Sequence, residues 1–557
     1  MSDKPLIVQG DLTLLLETEG PGYLAARDAI APFTELVKSP EYVHTYRISH
    51  LSLWNAAATG RSAEEVLSAL EAHSRFPVPQ TVIREVTQYM GRYGTLKLER
   101  SGDDLLLTAK EPLALAEARN VKAAQPWLLD MMGPDRCKVD AAFRGHLKLA
   151  LTLAGLPVED LAGYTVGDPL SFQLRETSLS AKPFALRHYQ MEAAEIFHAS
   201  GSAKGGAGTV VLPCGAGKTV VAMGAMGLCQ CHTLILTTNV MAVRQWIREI
   251  LDKTTLTEDQ VGEYTGEVKD IKPVTLATYQ ILTWRKGKED VFPHFGLFQA
   301  RKWGLIVYDE VHLLPAPVFR VSAEVQATRR LGLTATLVRE DGKEGDVFAL
   351  IGPKRYDVPW KTLESQGWIA TATCTEIRVP QPLSRYVDYA QATDRDKVRL
   401  ASENPAKKAV VEEILEKHPG EPVLVIGQYL SQLEELSAEL DIPLITGKTP
   451  QRERERLYGD FREGRLRCLI VSKVGNFAID LPEASVMVQV SGTFGSRQEE
   501  AQRLGRILRP KEDGRQAHFY TLVTRDTREQ EFGMHRQLFL IEQGYQYKVE
   551  IREPGKG

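Results

Sequence analysis

The chain has 557 residues, 43% of them hydrophobic and 25% charged, the composition of a soluble globular protein with room for several domains. No apolar run reaches the ~18–20 residues of a transmembrane helix. The start Met1-Ser2-Asp3-Lys4-Pro5 carries no signal-peptide pattern, and six cysteines in so long a chain make neither a disulfide framework nor a zinc site, so the cytoplasm is the expected compartment. A net charge of −4 decides little about a nucleic-acid partner, because basic groups can be gathered in one groove.

Residues 5–16 read as a strand. Ser62-Ala63-Glu64-Glu65 matches a capping box, in which the hydroxyl and the carboxylate three residues on satisfy each other's backbone N–H, and opens a helix to about His73. Pro79 starts a second helix that ends near Gly91. Thr95–Glu99 and Leu105–Thr108 flank the turn Ser101-Gly102-Asp103-Asp104 and predict a hairpin. Two helices and a hairpin suggest a winged-helix unit. It would serve either to read DNA or to pack against protein, and its second helix is not notably basic. A break falls near Met132-Gly133-Pro134, and an amphipathic helix is expected around Leu147–Leu153.

An α/β pattern follows. Short apolar runs at Thr209–Leu212, Thr233–Leu236, Val274–Ala277, Leu305–Tyr308 and Leu331–Leu333 alternate with helical stretches. The alternation resumes at Val423–Ile426, Cys468–Val471, Val486–Val490 and His518–Leu522. Two α/β lobes result, each a parallel sheet flanked by helices, preceded by α+β accessory domains.

The chemistry-bearing residues sit at strand ends. Leu212-Pro213-Cys214-Gly215-Ala216-Gly217-Lys218-Thr219 follows one strand and opens a helix. Gly215 and Gly217 let the backbone wrap a phosphate, Lys218 reaches the β- and γ-phosphates of ATP, and Thr219 takes Mg2+. Leu305–Tyr308 runs into Asp309-Glu310-Val311-His312, so two carboxylates fall at the sheet edge where ligands bind. Asp309 is assigned to Mg2+ and Glu310 to the attacking water. The hydroxyls of Thr334-Ala335-Thr336 either link the acid pair to a moving lobe or merely cap a strand.

In the second half, Gln502-Arg503-Leu504-Gly505-Arg506-Ile507-Leu508-Arg509 carries Arg506 and Arg509 on one helical face. A planar guanidinium suits the transferring phosphate, while Arg503 suits a DNA backbone. Asp480, in Val471–Pro482, is assigned to the ribose or to orienting an arginine. Arg244, Gln245, Trp246 and Thr278 in the first lobe are candidates for sequence-independent phosphate contacts, with Trp246 as a base-stacking alternative to a core residue.

Taken in order, Gln190, the P-loop, Asp309–His312, Thr334–Thr336, Ser472–Pro482 and Gln502–Arg509 resemble superfamily 2 helicases. Proline at 213 in a shortened loop is what that superfamily usually shows. A narrower resemblance is to the XPB family of DNA-repair helicases in its bacterial form. Leu333–Val338 leads directly into Arg339-Glu340-Asp341, like that family's R-E-D motif. Arg144-Gly145-His146-Leu147 through Asp160–Tyr164 resembles its damage-recognition domain, and Pro5–Gln9 through His44–Ile48 its N-terminal extension.

The resemblance implies two RecA-like lobes and a 3′-to-5′ DNA helicase with ATP and Mg2+ as cofactors. It implies Gln190, with Arg187 beside it, at the adenine, and Arg339, Glu340 and Asp341 at the opening duplex. Arg385–Lys408 corresponds either to a thumb-like grip or to an exposed charged linker. A double-stranded translocase, an ATP-gated scaffold and an RNA substrate are the rival readings, and chemistry on DNA itself would need a nuclease partner. The division expected is an N-terminal extension over 1–120, a damage-recognition-like domain over 121–180, lobe one over 181–372, the thumb-like segment over 373–405, and lobe two over 406–557.

Overall fold

The computed structural model describes residues 4–38, 42–213, 215–287, 292–314, 317–318, 322, 325–326, 328–335, 344–358, 360–368, 370–472, 484–492, 516–542 and 547–553. Contacts divide the chain into two compact units. One comprises Met1–Glu35, Thr45–Leu212 and Gly217–Val358, the other Leu36–His44, Pro213–Ala216 and Pro359–Gly557.

Short strands β1 (Leu6–Val8), β2 (Thr13–Glu17), β3 (Glu35–Lys38) and β4 (Val43–Arg47) form a sheet in the order β1-β2-β4-β3. The single strand expected over 5–16 is thus a hairpin, with Leu6 opposite Leu16. The capping box is realised at the helix Ala63–His73: Ser62 Oγ accepts from the Glu65 N–H at 3.2 Å, and Glu65 Oε2 accepts from the Ser62 N–H at 2.9 Å. The next helix is Gln80–Arg92.

A second correction concerns the hairpin β5 (Leu96–Ser101) and β6 (Asp104–Ala109). It is the middle of a five-stranded sheet with β7 (Leu128–Met131), β8 (Arg136–Val139) and β9 (Val158–Asp160), in the order β7-β8-β6-β5-β9. Both of its edges are paired, β6 with β8 and β5 with β9, so it is no free wing. The break expected near Met132–Pro134 is the turn between β7 and β8, and the predicted amphipathic helix runs Arg144–Leu153.

The ends of that region meet in a buried ion cluster. Arg144 Nη2 lies 2.6 Å from Asp160 Oδ1 and Lys148 Nζ 2.8 Å from Asp160 Oδ2. The Tyr164 ring has the guanidinium carbons of Arg144 and Arg330 each 5.6 Å from its centre. It also packs on Gly206, where an added Cβ would come within 2.8 Å of it. The five-stranded domain is thereby seated on the strand that follows Gly206.

That strand belongs to the first parallel sheet: β10 (Ala207–Val211), β11 (Thr233–Thr237), β12 (Val261–Tyr264), β13 (Val274–Thr278), β14 (Leu305–Asp309), β15 (Arg329–Thr334) and β16 (Lys354–Asp357). The order is β12-β13-β11-β14-β15-β10-β16, every pair parallel. Strands β10, β11 and β13 are buried throughout and so read as largely apolar runs. The edge strands β12 and β16 are only partly buried and gave no such run.

The second unit repeats the plan. Strands β17 (Ala372–Val379), β18 (Val423–Gly427), β19 (Leu444–Ile445), β20 (Cys468–Ser472), β21 (Val486–Gln489), β22 (Ala517–Thr524) and β23 (Tyr547–Ile551) run parallel in the order β19-β20-β18-β21-β22-β17-β23. Residues 373–379, expected in an inter-lobe segment, are therefore inside this sheet, paired between β22 and β23. Mixed polar and apolar residues, Thr373-Cys374-Thr375-Glu376-Ile377-Arg378, hid the strand. Glu376 is buried there, its carboxylate 2.7 Å from Arg378 Nε and accepting from Gln537.

Candidate active site

Strand order places the site. The P-loop leaves β10 and the acid pair leaves β14, with β15 between them ending at Thr334. The carboxyl ends of three adjacent parallel strands thus share one edge, the usual place for ligands in such sheets. The helix Lys218–Cys229 begins directly after Gly217, so its unpaired N–H groups face that edge.

Two P-loop glycines take conformations that side chains resist, Gly215 at φ 83° and Gly217 at φ 83°. At Gly217 space is also missing: a Cβ would sit 2.5 Å from Gln190 Nε2. Gln190 opens the helix His188–His198 and is buried against the P-loop, its Oε1 accepting from the Arg187 N–H at 2.9 Å. The Arg187 guanidinium donates to Tyr189 Oη at 3.1 Å. Thr219 lies in the first turn of the P-loop helix, half-buried.

Lys218 Nζ donates to Glu310 Oε1 at 2.6 Å. Burial alone would raise the Glu310 carboxyl, but the Lys218 ammonium, and then His312, hold it below the usual carboxylate value. Glu310 Oε2 is buried without a hydrogen bond among the described residues, and Glu310 sits in the left-handed region at φ 49°. Asp309 behaves oppositely. Burial, then the adjacent Glu310 charge, push it up to about 6. Two neighbouring carboxylates driven apart in this way can take different tasks.

The sequence did not reveal what holds the acid pair. Trp246 Nε1 donates to Asp309 Oδ2 at 3.1 Å, and Tyr279 Oη donates to the Asp309 carbonyl at 2.8 Å. Burial, more than the nearby Asp309 charge, keeps the Tyr279 phenol well above its ordinary pKa, hence a donor. His312 Nδ1 and Thr334 Oγ1 are 2.6 Å apart, and the Thr334 carbonyl accepts from the Leu212 N–H at 2.9 Å. Thr334 therefore ties the acid motif to the strand feeding the P-loop, within one sheet.

Two of the assigned nucleic-acid contacts need correction. Trp246 is 3% exposed and its indole is spent on Asp309, so it offers no face for stacking a base. Thr278 is 2% exposed and its hydroxyl accepts from the Ile281 N–H, capping a short helix. Arg244 is exposed, paired with Glu263 at 3.3 Å and Glu267 at 2.5 Å, and Gln245 is half-buried beside it. Thr336, Arg339, Glu340, Asp341, Asp480, Gln502, Arg503, Arg506 and Arg509 lie outside the described residues.

A phosphate-cradling loop and a carboxylate pair on one parallel-sheet edge define a P-loop nucleoside triphosphatase. Its relatives narrow this. The ERCC3/RAD25/XPB C-terminal helicase family matches residues 363–555. The type III restriction enzyme res-subunit family matches 183–339, and a helicase conserved C-terminal domain family matches 6–132. The chain is 53% identical over 550 residues to the DNA 3'-5' helicase XPB of Kineococcus radiotolerans, covering 99% of this chain and 97% of that protein. It is 53% identical over 550 residues to the DNA 3'-5' helicase XPB of Mycobacterium tuberculosis, covering 99% and 98%. Identity is 30% over 610 residues to the general transcription and DNA repair factor IIH helicase/translocase subunit XPB/SSL2 of Saccharomyces cerevisiae, covering 98% and 72%. The chain belongs to the XPB family of DNA helicases.

Proposed function

We propose that this protein is an ATP-driven DNA helicase of repair, moving 3′ to 5′ along one strand and opening the duplex ahead of it. The observation that carries the reading is the Lys218–Glu310–Asp309 constellation in a chain matched end to end by helicases of that polarity.

In this mechanism Lys218 begins on Glu310. An arriving β,γ-phosphate competes for the ammonium, and transfer of Lys218 to the phosphate leaves Glu310 ionised with an open Oε2 to accept a proton from water. The Thr219 hydroxyl and Asp309 carboxylate are hard oxygen donors of the kind Mg2+ takes, and Asp309 is fixed in orientation by Trp246, so the residues fit that ion. When bound, Mg2+ would neutralise charge on the phosphates. Arg506 and Arg509 supply positive charge to the transferring group, and Gln502 offers a neutral amide that can donate or accept a hydrogen bond. Arg503, Arg244 and Gln245 hold phosphates of the track, Arg339, Glu340 and Asp341 act at the fork, and Asp480 serves the ribose. The protein works in the cytoplasm, and a partner nuclease carries out any strand cleavage. Among the described residues no helix is long and apolar enough to cross a membrane.

Strand displacement on 3′-tailed, 5′-tailed and forked duplexes, with and without ATP, tests the reading. ATP-dependent release from the 3′-tailed and forked substrates is expected. Release from the 5′-tailed duplex alone would refute the polarity, and displacement of a bound third strand without fork opening would favour a duplex translocase.

A further inference from the structure

Asp309 is gripped from two sides by aromatic donors, each from a different segment. Trp246 lies in the helix Val240–Lys253, which follows β11, and Tyr279 opens the helix Tyr279–Thr283, which follows β13. Both rings are buried, at 3% and 4% exposure. One bonds the Asp309 side chain and the other its backbone carbonyl. An indole N–H can only donate, so it fixes Oδ2 as an acceptor, while Oδ1 takes the Glu310 N–H at 3.1 Å.

The same two helices show polar groups outward. Val243, Trp246 and Ile250 form the buried face of the first, and Arg244, about 200° around from Trp246, is exposed. In the second, Gln280 is exposed beside buried Tyr279. Arg244 is engaged by Glu263 and Glu267, both outside this helix. A phosphate that takes Arg244 from those carboxylates pulls on a helix whose inner face is hydrogen-bonded to Asp309. Close packing makes such a helix move as a unit.

We propose that Trp246 and Tyr279 are positioning residues that couple DNA occupancy to ATP turnover, transmitting displacement of the two helices to the Asp309–Glu310 pair. This rests on the reading that these helices face the DNA track.

Tyr279→Phe removes only the hydroxyl donor, Trp246→Phe removes the N–H donor and leaves a smaller ring, and the full chain carries each. Turnover with and without single-stranded DNA, DNA affinity, ATP KM and melting temperature are measured for each variant. The ratio of DNA-stimulated to DNA-free turnover should fall about tenfold, within the usual range of coupling between sites. DNA affinity and KM should change far less. The double variant should lose little more than either single, because both act through Asp309. A second readout needs no turnover: the wild-type minus Trp246→Phe emission difference should shift when DNA is added without nucleotide. An equal loss of turnover with and without DNA, or no shift in emission, would overturn the coupling. Arg244→Ala separates the two layers. Weakened DNA binding there beside wild-type stimulation in the Phe variants overturns the coupling alone. Unchanged DNA binding in Arg244→Ala overturns the DNA-facing reading and the proposal with it.

Discussion

The Lys218 ammonium lies 2.6 Å from Glu310 Oε1, so the cation proposed to take phosphate and the carboxylate proposed to activate water neutralise each other. Each is only slightly exposed, 12% for the lysine side chain and 15% for the glutamate, and neither charge is left unpaired.

Glu310→Gln should separate binding from chemistry. The amide keeps a hydrogen bond to Lys218 but cannot take a proton. DNA-stimulated phosphate release should fall by about 10²–10⁴, the range of a lost general base. ATP binding, followed with a fluorescent analogue, should persist. Loss of binding in parallel with turnover would mean that the carboxylate only holds Lys218.

Gly217→Ala tests the contact with Gln190. The alanine must adopt φ near 83° and place Cβ where Gln190 Nε2 stands. The backbone strain alone is about 1–2 kcal/mol, and the displaced glutamine adds a defect in the P-loop. A raised ATP KM with a modest fall in melting temperature is expected. Gln190→Ala combined with Gly217→Ala should recover part of the fall in melting temperature but not the ATP KM, because the clash is then removed while the strain remains and the adenine loses its amide.

The ion cluster of Arg144, Lys148 and Asp160 should make stability depend on pH. Burial, ahead of the Asp160 attraction that opposes it, brings Lys148 down to about 7 from an ordinary 10.5. Between those values the folded chain lacks a proton that the unfolded chain binds, so stability rises with pH across the window, by up to about 1.4 kcal/mol per pH unit. Asp160 would be raised by burial, but Lys148 and Arg144 hold it far below its ordinary 3.8. Its contribution is complete above that value and disappears only in strong acid. Melting temperatures from pH 6.5 to 10 should show a rising Lys148 component that Lys148→Met abolishes. Asp160→Asn, which leaves the buried Arg144 guanidinium without its carboxylate, should cost about 3–5 kcal/mol.

Arg244→Ala should weaken DNA binding similarly for unrelated sequences, because a phosphate contact carries no base information. The slope of log affinity against log salt should shrink by about 1. Loss confined to one sequence would point to a base contact instead.

Local order was legible where a residue's role depends on its neighbours in sequence. The P-loop, Asp309-Glu310 and the Ser62 cap each follow from a strand end or helix start a few residues away. What stayed hidden depends on pairing between distant segments. The β5–β6 hairpin looked like a free wing because its partners are β8 and β9, roughly thirty to sixty residues further on. Strand β17 was placed in the segment joining the lobes because Glu376 and Arg378, which neutralise one another inside the sheet, break its apolar run. Trp246 sat next to Arg244 and suggested a DNA contact. Its spacing from Val243 and Ile250 was the available sign that it faces inward, and nothing local indicated Asp309, 63 residues on, as its acceptor.

The most direct test of the central claim is ATP turnover by the wild-type chain and by Lys218→Ala, each alone, with single-stranded DNA and with RNA of the same sequence. The account predicts turnover in the wild type that DNA raises well above RNA, and its near-complete loss in Lys218→Ala. Wild-type turnover in Lys218→Ala, or equal stimulation by both nucleic acids, would contradict it.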